Sequence, residues 1–151
     1  MNIRVQREAF DPGAELNAMI AGRKDAGAAI AFVGLVRELG ETGELRTLEL
    51  EHYPGMTERE LGRIREEAMT RFALTEARII HRFGPLRPAE PIVLVLAAAP
   101  HRREAFEGAM FMMDFLKTKA PFWKRESGLM GETWVEARDA DSDAAHNWAE
   151  R

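Results

Sequence analysis

The chain has 151 residues, a formal net charge of −4 and no cysteine. That length suits one domain, 1–151, with a sizeable core. The missing thiols exclude disulfides, thiolate metal sites, cysteine nucleophiles and a persulfide carried by the chain itself. The acidic balance argues against general polyanion binding, nucleic acid included, so an anion site must be a local basic cluster.

In chain order, Ile3 and Val5 alternate with polar neighbours over residues 2–10 and predict a strand. "DPGAELNAMI" predicts a helix with Asp11 as N-cap and Pro12 in the first helical position. "GAAIAFVGLVR" (27–37) reads as a buried strand, and "LRTLELEHY" (45–53) as a half-exposed one. The two are expected to form a hairpin around Gly40–Gly43. "TERE" (57–60) fits a capping box for a helix running to about Phe72, with Leu61, Ile64, Ala68 and Phe72 inward. "ARIIHRFG" (77–84) and "PIVLVLAAA" (91–99) read as strands joined by a Pro/Gly turn. A helix follows over His101–Lys119, stopped by Pro121. "ETWVEARD" reads as the last strand and "DSDAAHNWAER" as a terminal helix capped by Asp141 or Ser142. Mixed elements with hairpins make the class α+β, a mainly antiparallel sheet with flanking helices.

The chemistry concentrates in "FLKTKAPFWKRE" (115–126). Phe106, Met110 and Met113 draw an apolar stripe along the helix, and Lys117 returns to within roughly 20–40° of it at ~100° per residue. Lys117 is therefore expected on the buried side, where desolvation weakens the ammonium form and suits a base or nucleophile. A snorkelling lysine is the competing reading. Beyond Pro121 an extended chain puts Phe122, Lys124 and Glu126 on one side, so Glu126 is expected to keep Lys124 charged; an inert surface ion pair is the alternative. Arg37 ends a strand. His101 and Arg102 open a helix, where basic groups oppose the dipole unless an anion is near. Of His81 and Arg82, one is expected to face inward in a structural role. The four histidines lack ligand spacing and no glycine-rich stretch has a phosphate-loop pattern, so neither metal nor cofactor is expected. No apolar run reaches the length of a membrane helix and "MNIRVQREAF" lacks a signal-peptide core, so the reading is cytoplasmic, with no membrane partner.

Five stretches carry a family likeness: "FVGLVRE", "LELEHYPGMTE", "IIHRFGPL", the "HR" of 101–102, and "MDFLKTKAPFWKRE" with "WVEARD". Colinear from about residue 26 to 148, they resemble the large, catalytic subunit of molybdopterin synthase. The resemblance implies an α/β hammerhead-type fold and a sulfurtransferase of molybdenum cofactor biosynthesis. It would convert cyclic pyranopterin monophosphate to molybdopterin. Two sulfurs would come from the C-terminal thiocarboxylate of a small ubiquitin-like subunit. The implied assembly is a homodimer core within a heterotetramer. Carried over by position, the catalytic lysines fall on Lys117 and Lys124. The substrate-binding positions fall on Leu35, Val36, Arg37, His101, Arg102, Lys117, Lys124, Arg125, Glu126 and, at the edge of the match, Arg138. Two rivals differ in kind: a non-catalytic scaffold for a ubiquitin-like tail, and a Schiff-base enzyme that uses Lys117 without a partner.

Overall fold

The chain's most apolar segment becomes the middle of its main sheet. The computed structural model describes residues 2–40, 43–128, 131–135 and 139–149. In chain order these form β1 (Ile3–Gln6), α1 (Pro12–Ile20), β2 (Ala28–Leu35), β3 (Leu39–Gly40), β4 (Gly43–His52), α2 (Met56–Arg71), β5 (Glu76–Arg82), β6 (Gly84–Leu86), β7 (Pro91–Ala99), α3 (Arg102–Thr118), β8 (Phe122–Gly128), β9 (Gly131–Val135) and α4 (Asp139–Ala149). The first sheet has the order β1-β5-β7-β2; the second runs β3-β4-β8-β9, with β6 on the other side of β4. Every ladder is antiparallel except β1 with β5. The class is α+β, as the sequence predicts.

Strand alternation sorts the core of the first sheet into two layers. Along β7, Val93, Val95, Ala97 and Ala99 join a large cluster with Leu61, Ile64 and Ala68 of α2 and Phe111, Met112 and Leu116 of α3. Leu94, Leu96 and Ala98 point the other way, onto Met19 of α1. A strand buried on both faces has to be apolar at every position, which is why "IVLVLAAA" carries no alternation. The second sheet has its own cluster of Val36, Leu45, Leu48, Leu50 and Leu86. Phe122 packs against both this cluster and the large one, at the seam between the sheets.

Three local expectations need correction. β2 and β4 are not hairpin partners: β2 pairs with β7, and Gly40 and Gly43 pair only within the short β3–β4 ladder, residues 41–42 lying outside the described ones. Burial on β7 outweighs the preference of consecutive strands for pairing. β2 is also an edge strand, with Phe32 and Leu35 exposed. The cap of α2 falls two residues earlier than "TERE" suggests. The Glu58 carboxylate accepts from the Gly55 N–H at 2.6 Å, while buried Thr57 donates its hydroxyl to the Tyr53 carbonyl. Gly55 has φ +85°, a conformation that favours glycine. At α1 the expectation holds: Asp11 caps Ala14 N–H at 3.1 Å ahead of Pro12.

Candidate active site

α3 and β8 meet at Pro121, and each delivers one lysine. Lys117 lies in the last turn of α3, where a cation complements the helix dipole. After the break, β8 pairs with β4 in a register that sets Lys124 opposite Leu50, and with β9 opposite Val135. Lys124 is thus an interior-strand residue, half-buried, and its ammonium is weakened. Burial is the main cause, and the nearby charge of Lys117 adds to it. Asp141 of α4 and Glu126 of β8 oppose the shift, and Arg37 reinforces it weakly. One cluster therefore gathers Lys117, Lys124, Arg37, Glu126 and Asp141.

The burial expected for the two lysines is reversed. Lys117 is exposed, and so are Phe106 and Met110, at 59% and 58%. The buried side of α3 runs instead through Ala105, Gly108, Ala109, Phe111, Met112, Met113 and Leu116. The stripe drawn through large side chains misjudges the phase, because the true inner face uses small residues to bring the helix close. A Cβ on Gly108 would lie 2.8 Å from Leu74 Cδ1. The desolvated lysine is Lys124, despite Glu126 beside it.

The other expected site residues divide by position. Arg37, exposed, follows β2 and acts on Lys124; Leu35 is exposed and Val36 lies in the core of the second sheet. Arg125 and Glu126 continue β8 beyond Lys124. His101 and Arg102 are exposed at the opposite end of α3. At ~1.5 Å per residue, Arg102 is about 22 Å from Lys117 along the axis, too far for both to touch one phosphate within one chain. Arg138 lies outside the described residues.

Two contributors were not expected at this cluster. Asp141 comes from α4, which Trp148 Nε1–H anchors to the Asp114 carboxylate of α3 at 2.6 Å. Its sequence signal was that of a helix cap, and only tertiary packing brings it to Lys124. His81 is the second. Both it and Arg82 are buried, since β5 is an interior strand with layers on both faces; Arg82 donates to the carbonyls of Arg7 and Pro91.

Fold and cluster together define an α+β protein with a lysine-centred cationic site suited to an anionic substrate. The chain belongs to the MoaE protein family, whose model matches residues 5–119. It is 52% identical over 148 residues to the molybdopterin synthase catalytic subunit of Mesorhizobium japonicum, covering 97% of this chain and 92% of that one. To the molybdopterin synthase catalytic subunit of Pseudomonas aeruginosa it is 51% identical over 150 residues, covering 99% and 100%. Among solved structures, the molybdopterin biosynthesis MoaE protein from Burkholderia ambifaria superposes with a TM-score of 0.83 at 45% identity, covering 98% of this chain and 97% of that one. No helix among the described residues is long and apolar enough to cross a membrane.

Proposed function

We propose that this chain converts cyclic pyranopterin monophosphate to molybdopterin, taking two sulfurs from the thiocarboxylate tail of a small ubiquitin-like subunit, in the cytoplasm. The family membership supports the reaction class. The observation that carries the assignment to residues is the half-buried, charge-weakened Lys124 beside Lys117. A lysine with a lowered pKa gives up its proton more readily than a fully solvated ammonium, which suits it to proton transfer. Lys124 is therefore the proton-handling group as sulfur bonds to a substrate carbon. Lys117, exposed at the helix end, and Arg37 hold the anionic substrate and the tail. Asp141 and Glu126 act against the lowering and favour the charged form of Lys124.

The length of α3 bears on His101 and Arg102. These residues serve the same substrate most simply from a second copy, across a dimer in which each copy supplies the lysines of one site and the His-Arg pair of the other. The direct test mixes this protein, a thiocarboxylated small subunit and cyclic pyranopterin monophosphate. Dithiolene product is expected only with all three. Product without the partner, or none with a verified partner, overturns the reading.

A further inference from the structure

Of the four histidines only His81 is buried. Along β5 it follows Ala77 and Ile79 on the face that joins the large cluster beneath α2 and α3. Its ring lies flat on Phe122, with centroids 3.8 Å apart and planes 19° from parallel. Phe122 opens β8, pairs with His52 in the β4 ladder, and stands two residues before Lys124 on the same side of the strand. The ring is also fixed in rotation: Nδ1 is 2.8 Å from the Arg82 carbonyl. A carbonyl only accepts, so Nδ1 carries the hydrogen and Nε2 is bare in the neutral ring.

We propose that His81 is a positioning residue for Lys124: the clamped imidazole is the plate against which Phe122 rests, and through Phe122 it sets where β8 delivers the lysine and keeps water from beneath it. The inference rests on the assignment of Lys124 to the active site made above. Its chemistry explains a histidine at this place. The plate has to be flat, anchored at one edge and uncharged beside two lysines. Burial lowers the imidazole to about 4; the Arg82 carbonyl opposes this, and the charges of Lys124, Lys117 and His52 add to it. It is thus neutral in the working range and adds no third cation. The groups facing Lys124 itself are Lys117 from α3, Asp141 from α4, Glu126 from β8 and Arg37 after β2.

The chain has four lysines, Lys24, Lys117, Lys119 and Lys124, so 13C,15N-lysine labelling gives an NMR set that Lys124→Arg assigns. Titration of the Lys124 Nζ needs no substrate and stands apart from the activity reading. In His81→Ala the plate is gone, water reaches the lysine, and its pKa is expected to rise toward the ordinary value. In the three-component assay kcat is expected to fall at least about tenfold, with KM for the pterin changing less than about threefold. His81→Phe restores a flat neutral ring. Its expected result is a Lys124 titration like wild type and kcat within about threefold of it. If His81→Ala does not fold, His81→Leu, which fills the space without a plate, takes its place. An unmoved Lys124 titration in His81→Ala, or in His81→Leu where that replaces it, overturns the proposal. So does a His81→Phe protein that behaves like His81→Ala. A wild-type protein that makes no product overturns the functional reading and leaves the titration to decide this one.

Discussion

Lys124 and Lys117 differ in what a substitution by arginine does to them. An arginine keeps the charge but cannot release its proton. If Lys124 moves protons, Lys124→Arg is as inactive as Lys124→Ala, both with kcat lower by about 10²–10⁴. If Lys117 holds an anion, Lys117→Arg keeps most of the activity that Lys117→Ala loses. The kcat limb that reports Lys124 should lie below the ordinary lysine range, because burial and Lys117 weaken its ammonium. Steady-state rates across pH for the four variants check this, and a Lys124→Arg protein of wild-type kcat would refute it. His81 makes a separate statement about stability. Its folded pKa, about 4, lies below the unfolded value of 6.5. Its contribution is therefore complete above pH 6.5 and is lost as pH falls toward 4, where the unfolded chain binds the proton first. At about 1.4 kcal/mol per unit this amounts to roughly 3 kcal/mol over that window. Urea unfolding of His81→Phe between pH 7 and pH 4 should show a correspondingly flatter acid limb than wild type.

α3 is the element that positions the exposed lysine, and its placement rests on a missing side chain. Gly108 allows Leu74 to lie against the helix. Alanine there improves helix propensity by about 1 kcal/mol, but the new Cβ meets two Leu74 methyl carbons at 2.8 and 2.9 Å. Overpacking of that kind costs about 1–3 kcal/mol, so packing wins. Gly108→Ala is expected to lower stability by about 1 kcal/mol, where propensity alone forecasts a gain; chemical denaturation decides between them. The same residue explains what could be read along the chain and what could not. α1 was legible because Asp11 and Pro12 act locally. β7 was legible because burial on both faces leaves an unbroken apolar run. "FLKTKAPFWKRE" was legible as a helix, a break and a strand bearing two lysines. The phase of α3 was not, since large apolar residues mark an inner face only where the neighbour leaves room for them. Here Leu74 selects glycine and alanine, and Phe106 and Met110 are left outside. The β2–β4 hairpin failed for a related reason: adjacency in sequence competes with burial on β7. Asp141 and His81 reach Lys124 through tertiary packing alone, which no local spacing records.

At the scale of the whole molecule the question is how a basic pair about 22 Å from Lys117 along α3 can serve the lysine site. A substrate bridging the two ends of one helix and a site shared between two copies differ in a way that mixing can separate. Take Lys124→Ala and Arg102→Ala chains, each inactive alone, and let them exchange at equal amounts. Random pairing makes half the dimers mixed. In a shared-site dimer, one of the two sites in each mixed pair has intact lysines from one chain and an intact Arg102 from the other. The second site carries both lesions. About a quarter of wild-type activity should return on these statistics for a two-fold assembly. If each chain supplies its own Arg102, every site in every dimer retains one lesion and no activity returns. A control with Lys117→Ala and Lys124→Ala places both lesions in the same half of the site. Its mixture should stay inactive under the shared arrangement, because in each mixed dimer both sites lack one lysine. Recovery in the first mixture and none in the second would assign the lysines to one copy and Arg102 to its partner. Recovery in both would mean that α3 and β8 of one chain do not build a single site, and the assignment of Lys117 and Lys124 to a common cluster would fall with it.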